Sequence, residues 1–147
     1  MAAQFLGEYE VPVDDKGRIF LPAELRRNLE PESDDTFVVT IGLDGCLSGH
    51  PRNLWDPIRE RMLRLPWQDQ GVRRYRREKV RLAREVRLDR QGRASIPRRL
   101  LDRVGITDRV VVIGALDQIE FWEPKAWQAY LSEPGPTLEE VAAGLDI

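Results

Sequence analysis

The chain has 147 residues and a mass of 17.0 kDa, the size of one ordinary domain or of two very small ones. Its 23 Lys and Arg residues against 25 Asp and Glu residues give a formal net charge of −2, which is not typical of general nucleic-acid binders. A single cysteine excludes an intramolecular disulfide and a multi-cysteine zinc site, and no apolar run approaches the roughly 20 residues of a membrane span. These features predict a cytoplasmic protein with no membrane partner.

The first third of the chain predicts a short, β-rich unit. A strand is expected at 8–14, at an edge or with a bulge, because Pro12 lacks an amide donor. An Asp-x-x-Gly turn follows, in which Gly17 can take a positive φ angle and Asp14 can accept hydrogen bonds from turn amides. The later predicted elements of this unit are a strand at 18–21, a helix at 23–29, hairpin strands at 36–41 and 46–49, and a helix at 53–65.

A helix is expected at 68–77, after which the same order of elements recurs. Alternating apolar residues at 80–88 predict a strand, and a second Asp-x-x-Gly turn places Asp89 and Gly92 in the same roles. The later predicted elements are strands at 93–96, 109–114 and 118–122, helices at 98–104 and 124–131, and a C-terminal helix after a cap at Thr137.

The recurrence is an internal repeat. Residues 13–22 match 88–97 at an offset of 75, with the pattern apolar-Asp-x-x-Gly-Arg-x-x-apolar-Pro, and 42–51 match 115–124 at an offset of 73. Copies this small are expected to share one core around a pseudo-two-fold axis. The predicted division is a first unit at 1–58, a basic helical connector at 59–79, a second unit at 80–131 and a C-terminal helix at 132–147.

Charge is distributed unevenly along the chain. Residues 1–58 carry a net charge of −6, residues 59–109 carry +10, and residues 110–147 carry −6. The basic side chains are densest at 73–87. This stretch can present an anion-binding surface on an acidic molecule, and the alternative is a solvated helix face with i,i+4 ion pairs.

In each copy an aspartate and an arginine lie four residues apart across a glycine, as Asp14 with Arg18 and Asp89 with Arg93. One interpretation is structural: the carboxylate fixes the turn and pairs with the arginine. The other is that the aspartate fixes the turn while the arginine faces outward, toward a guanine edge or a phosphate. The residues alone leave both interpretations open.

Taken together, several motifs resemble the MraZ family. These motifs are residues 5–9, both copies of the Asp-x-x-Gly-Arg turn, residues 42–47 and residues 120–127. The resemblance extends from Phe5 to the last helix. It implies an α+β fold of the AbrB-like type. Two fused units would form one pseudo-two-fold, swapped-hairpin β-barrel with short peripheral helices.

The resemblance also implies a function. It indicates a bacterial transcriptional regulator of the division and cell-wall gene cluster, associated with the nucleoid. A ring-shaped homo-oligomer would bind tandem G-rich repeats in promoter double-stranded DNA. DNA contact carries over to Arg18 and Arg93, with Lys16 as a phosphate contact and Gln91 in its place in the second copy. Because the superfamily includes antitoxins, the alternative is a protein-interaction module, antitoxin-like or a ring scaffold, with little DNA binding.

The sequence offers no argument for an enzyme. His50 is the only histidine, so a catalytic site with several histidines is excluded, and it is expected on the surface at a strand end. Cys46 is expected to be a small buried thiol. Phosphate-binding glycine loops are absent from the sequence. No cofactor, metal or small-molecule substrate is therefore predicted.

Overall fold

The chain forms a mixed α+β fold, as predicted. A computed structural model describes residues 4–147, so residues 1–3 of the predicted first unit lie outside the described part. The strands are β1 (Glu8–Pro12), β2 (Arg18–Phe20), β3 (Thr36–Ile41), β4 (Leu47–Pro51), β5 (Arg84–Arg87), β6 (Arg93–Ser95), β7 (Arg109–Gly114) and β8 (Ile119–Trp122). The helices are α1 (Ala23–Arg26), α2 (Arg52–Leu63), α3 (Gln70–Arg81), α4 (Arg98–Arg103), α5 (Pro124–Ser132) and α6 (Leu138–Ala142), with a 3-10 turn at Pro31–Ser33.

The strands form one six-stranded antiparallel sheet, ordered β1-β7-β8-β4-β3-β5, and a separate two-stranded ribbon of β2 and β6. Exchanging the corresponding strands of the two units, β1 with β5, β7 with β3 and β8 with β4, gives the same order in reverse. The pseudo-two-fold axis passes near the pair Ser48 and Glu120 in the sheet and near the pair Ile19 and Ala94 in the ribbon. Each unit therefore pairs its strands with strands of the other.

A closed barrel is not confirmed. Among the described residues no ladder joins β1 to β5, so the large sheet has two open ends. The reason is that each end strand leaves the sheet through its Asp-x-x-Gly turn and continues into the ribbon, where β2 and β6 form a ladder only with each other; a single bridge joins Val13 to Ile19. Strand β1 lies at a sheet edge, where the missing amide of Pro12 is tolerated.

One hydrophobic core lies between the large sheet and the ribbon. Phe5 and Phe37 meet in it with ring centroids 6.2 Å apart. The ribbon contributes Ile19 and Ala94, both buried, to the same core. Its fully buried members come from both units and include Leu25, Leu47, Leu100, Leu101, Ile106, Val112, Ile119 and Phe121. Because the inner face of the ribbon covers the core, its outer face is left to solvent.

The strand predicted from residue 80 begins only at Arg84. Helix α3 continues through Arg81, and Val80 is exposed on that helix. The helix is anchored to β3, because the Thr40 hydroxyl donates to the carbonyl of Lys79 and the Lys79 Nζ donates to the carbonyl of Ile41 at 2.6 Å. The alternating apolar residues at 80–88 therefore do not form one strand. They span the end of α3 and the whole of β5.

The second half of the repeat is shifted by one residue relative to the predicted match. The pairs that close the two hairpins leave loops 42–46 and 115–118, so the first loop is one residue longer. As a consequence, Pro51 corresponds to Glu123 and not to Pro124. Both lie at the N-cap of the helix that follows.

His50 is buried, contrary to the surface position predicted for it. It is 6% exposed on β4, a strand in the interior of the sheet, and its ring lies 5.5 Å from that of Trp55 on α2. Its Nε2 is 3.1 Å from the Ser48 hydroxyl. Burial, together with the charge of Lys79, lowers the pKa of His50 to about 4.

We expect His50 to lower the free energy of unfolding as the pH falls from 7 to 4. The unfolded chain binds a proton at His50 near pH 6.5 that the folded chain excludes until about pH 4. The free energy of unfolding should therefore drop by about 3 kcal/mol over that interval. Denaturant titrations of wild type and His50→Gln at pH 7, 5.5 and 4 measure the effect. A stability difference between the two proteins that does not change with pH would contradict it.

Candidate nucleic-acid interface

The outer face of the ribbon carries two arginines. Arg18 and Phe20 of β2 and Arg93 and Ser95 of β6 point away from the core, because they alternate with buried Ile19 and Ala94. Arg18 is paired with Ser95, and Arg93 with Phe20. The two arginines are thus diagonal neighbours, about 7–8 Å apart at the backbone.

The first turn holds Arg18 in place through Asp14. One carboxylate oxygen, Oδ1, accepts hydrogen bonds from the amides of Lys16 at 2.9 Å and Arg18 at 2.8 Å. The other, Oδ2, accepts from the Arg18 Nε at 2.7 Å. Gly17 takes a φ angle of 76°, and a Cβ there would lie 2.9 Å from the carbonyl oxygen of Ile96.

The second turn repeats this geometry. Oδ1 of Asp89 accepts from the amides of Gln91 and Arg93, both at 2.9 Å, and Oδ2 accepts from the Arg93 Nε at 2.8 Å. Gly92 has a φ angle of 80°. The Arg93 guanidinium lies 5.8 Å from the centre of the Phe20 ring of the other unit.

The same arrangement satisfies both interpretations of the Asp–Arg pair. The carboxylate fixes the turn and forms an ion pair, yet it uses only the Nε of each guanidinium. Within residues 4–147 the terminal nitrogens of Arg18 and Arg93 make no hydrogen bond, and these side chains remain 29% and 23% exposed. Each guanidinium is therefore oriented while its outer edge stays available as a donor.

The two turn carboxylates should resist protonation. Hydrogen bonds from the amides and side chains of Arg18 and Arg93 lower the pKa of Asp14 and Asp89 below 3.8. Their contribution to stability is present above that value and is lost as the pH falls through the lowered pKa. We expect carboxyl-carbon NMR titration to give both residues midpoints below 3.8. A midpoint above 3.8 would mean that these hydrogen bonds do not persist in solution.

Further basic residues, which no motif of the sequence indicates, lie around the second turn. Arg26 of the first unit lies against Gly92, where a Cβ would come within 2.8 Å of its Nε, and that Nε donates to the carbonyl of Leu21 at 2.9 Å. A cleft of about 330 Å³ opens here, lined by Arg26, Arg27, Asp35, Leu88, Asp89, Arg90 and Gly92. No sequence signal indicates this contact, because Arg26 and Gly92 belong to different units and are 66 residues apart along the chain.

The two ends of the ribbon are chemically unequal. Where Arg26 lies over Gly92, its counterpart Leu101 is buried against Gly17. Helix α4 also begins with exposed Arg98 and Arg99, whereas α1 begins with Ala23 and Glu24. Arg98 and Arg99 therefore lie toward the end of the ribbon that holds the first turn, where Ile96 donates to the carbonyl of Gly17, whereas Arg26 lies at the end that holds the second turn.

In the described residues no group of three or more His, Cys, Asp or Glu side chains could hold a metal ion, and no helix there is long and apolar enough to cross a membrane. The Cys46 thiol is buried and donates to the carbonyl of Leu43 at 3.1 Å. Burial raises its pKa to about 12, so it is protonated at neutral pH.

The fold and the site define a class of protein: two fused copies of one strand–turn–strand unit that share a core and present duplicated Asp–Arg turns on a solvent-facing ribbon. A family model described as "MraZ protein, putative antitoxin-like" matches residues 4–78 and again 80–143, once for each copy. The chain belongs to the MraZ family.

Curated proteins of this family align in sequence with nearly the whole chain. Proteins named "Transcriptional regulator MraZ" are 38% identical over 141 residues in Heliobacterium modesticaldum and 37% identical over 142 residues in Halothermothrix orenii. The protein of that name in Limosilactobacillus fermentum is 34% identical over 142 residues. Each alignment covers 96–97% of this chain and 96% of the relative.

Proposed function

We propose that this chain is a sequence-specific DNA-binding transcriptional regulator, a role supported by the names of its relatives. The observation that carries the proposal is the pair of turn-held arginines, Arg18 and Arg93, on the exposed face of the ribbon. A two-stranded ribbon fits the DNA major groove, and an oriented guanidinium can donate two hydrogen bonds to the O6 and N7 atoms of guanine.

The spacing of the two arginines suits G-rich DNA. Their backbone separation of about 7–8 Å corresponds to roughly two base-pair steps, so one ribbon would read two nearby guanines. Lys16, exposed in the first turn, would contact a phosphate, and Gln91 at the matching place would not supply a charge. Because Arg98 and Arg99 lie on the side of the first turn and Arg26 on the side of the second, the two halves would contact DNA unequally.

The target and the assembly complete the proposal. A ring-shaped homo-oligomer would place one ribbon per subunit on tandem G-rich promoter repeats of the division and cell-wall gene cluster, at the nucleoid. The subunit would then be a fused form of a swapped-hairpin dimer, consistent with its exchanged strands. Because the net charge is −2, affinity would come from several subunits binding repeated sites together.

A footprint of the purified protein on DNA upstream of its own gene, with its mass measured in parallel by light scattering, tests this function. We expect protection of regularly spaced G-rich repeats by an oligomer, and weaker binding as salt rises. Absence of protection would overturn the proposal. A co-purifying protein partner without any DNA affinity would instead favour the protein-interaction module.

A further inference from the structure

Helix α3 carries a group of arginines that the ribbon site does not use. Arg73, Arg74 and Arg77 line an open cleft of about 410 Å³ together with Gln70 and Glu78. In the described part of the chain no carboxylate lies within ion-pair distance of these three arginines. With Arg76, whose guanidinium lies 4.6 Å from the centre of the Trp67 ring, residues 73–77 hold four arginines and no carboxylate.

Local contacts order this helix and its guanidinium groups. The Asp69 side chain caps the helix by accepting from the Val72 amide at 3.1 Å. The Arg73 Nη1 donates to the carbonyls of Trp67 and Gln68 at 3.1 and 3.0 Å. The Arg77 guanidinium lies 5.3 Å from the centre of the Trp67 ring. Stacking occupies the face of a guanidinium and leaves its N–H edge free to donate.

Helix α3 is also joined to α4, the helix that follows ribbon strand β6. Glu78 accepts a hydrogen bond from Arg81 at 2.9 Å and from Arg103 of α4 at 3.3 Å. Helix α4 begins at Arg98, three residues after the end of the ribbon strand β6. Glu78 therefore joins α3 to α4 while its own charge is compensated by two arginines.

We propose that Arg73, Arg74 and Arg77 form a second, sequence-independent contact to the phosphate backbone of DNA whose bases the ribbon reads. This inference rests on the proposed DNA-binding function. Compact forks of N–H donors suit phosphate oxygens, which lie along the duplex at a spacing that a helix face can follow. The proposed ligand is the sugar-phosphate chain of the same duplex.

The lining of the cleft favours a polyanion over a protein segment. One acidic exposed candidate in a second copy is the C-terminal segment, whose apolar residues Leu138, Val141 and Leu145 face solvent. That segment would need an apolar groove, whereas the cleft is lined by arginines, a glutamine and a glutamate. A phosphate backbone needs only the charges and donors that are present.

This contact would occur once per subunit. After α2 the chain forms the helical connector that contains α3, but after the matching helix α5 it continues into 133–137 and the short helix α6. The second unit therefore has no equivalent of α3. The phosphate contact would lie on one side of the pseudo-two-fold axis only and would give each subunit a fixed direction on the DNA.

Replacing the three arginines with glutamine, which keeps helix propensity, tests the inference. Full-length protein would be titrated onto its footprinted operator and onto an unrelated duplex at several salt concentrations. The test variant is Arg73→Gln/Arg74→Gln/Arg77→Gln, and the matched control, which removes three charges near the end of α2, is Arg59→Gln/Arg61→Gln/Arg64→Gln.

We expect the test variant to bind both duplexes at least about tenfold more weakly at 0.15 M salt, with an unchanged ratio between them. The slope of log K against log salt should become shallower by about 2–3, and the control should alter the slope by less than 1. Replacement of the same three residues by lysine should restore most of the affinity.

Three results would overturn the inference. The first is wild-type affinity and slope in the test variant while Arg18→Ala/Arg93→Ala still abolishes operator binding, which leaves the proposed function intact. The second is a changed oligomer mass with unchanged DNA affinity per subunit, which would make α3 a contact between copies. The third is a wild-type protein that binds neither duplex, which would remove the proposed function and this contact together.

Discussion

Replacing Arg18 and Arg93 together with alanine is expected to abolish operator binding while the protein still folds and assembles. A bidentate contact between arginine and guanine contributes about 1–3 kcal/mol of discrimination, so losing two per subunit weakens binding by each subunit by roughly 1.5 to 4 orders of magnitude. Because several subunits would bind repeated sites at once, these losses multiply across the assembly. Either single variant should lose at least about tenfold in affinity.

The fold should tolerate these changes. After truncation, each turn carboxylate still accepts two backbone hydrogen bonds, and the ion pair that is lost is solvent-exposed and contributes little to stability. Arg109→Ala is the matched control, because Arg109 also donates its Nε to a carboxylate, that of Glu10, at 2.7 Å, but on the large sheet. It should bind DNA like the wild type.

Gel shifts and light scattering on the same samples separate the possible results. Loss of DNA binding with an unchanged oligomer mass and melting temperature is the expected outcome for the double variant. If the double variant binds the operator in the gel shift with the same affinity as Arg109→Ala, the ribbon is not the surface that contacts the bases. In that case the turn arginines serve only to hold the turns.

The turns could be predicted from the sequence because their physics is local. A glycine free to take a positive φ angle and an aspartate two to four residues from the amides it binds lie within one short segment, and duplication shows the pattern twice. The exposure of Phe20 follows similarly from alternation with Ile19 and Leu21 along a strand.

Contacts between the two units could not be predicted in this way. Nothing in the spacing of Arg26 indicates that it lies over Gly92, because that contact exists only once β2 pairs with β6. The burial of His50 likewise depends on which strands flank β4 and on the position of Trp55. Both features depend on the register between strands that are distant in sequence. The local periodicity of a sequence does not reveal that register.

Phe121→Ala should cause the largest loss of stability among the predicted variants, about 3–5 kcal/mol of unfolding free energy. Phe121 is 1% exposed on β8, where it pairs with Val112 of its own unit and Leu47 of the other. Its ring also lies against Gly49, where an added Cβ would come within 3.2 Å of it. The resulting cavity would lie where the two units meet.

Denaturant unfolding at one fixed protein concentration measures this loss, with Phe20→Ala as the control. Phe20 is 53% exposed, so its truncation should cost less than about 1 kcal/mol. Because the core residues around Phe121 come from both units, the variant should still unfold in one cooperative transition, shifted to lower denaturant. Two separate transitions, with only the later half of the chain destabilised, would mean that each unit has a core of its own. That result would contradict the shared core on which the position of the ribbon and its arginines depends.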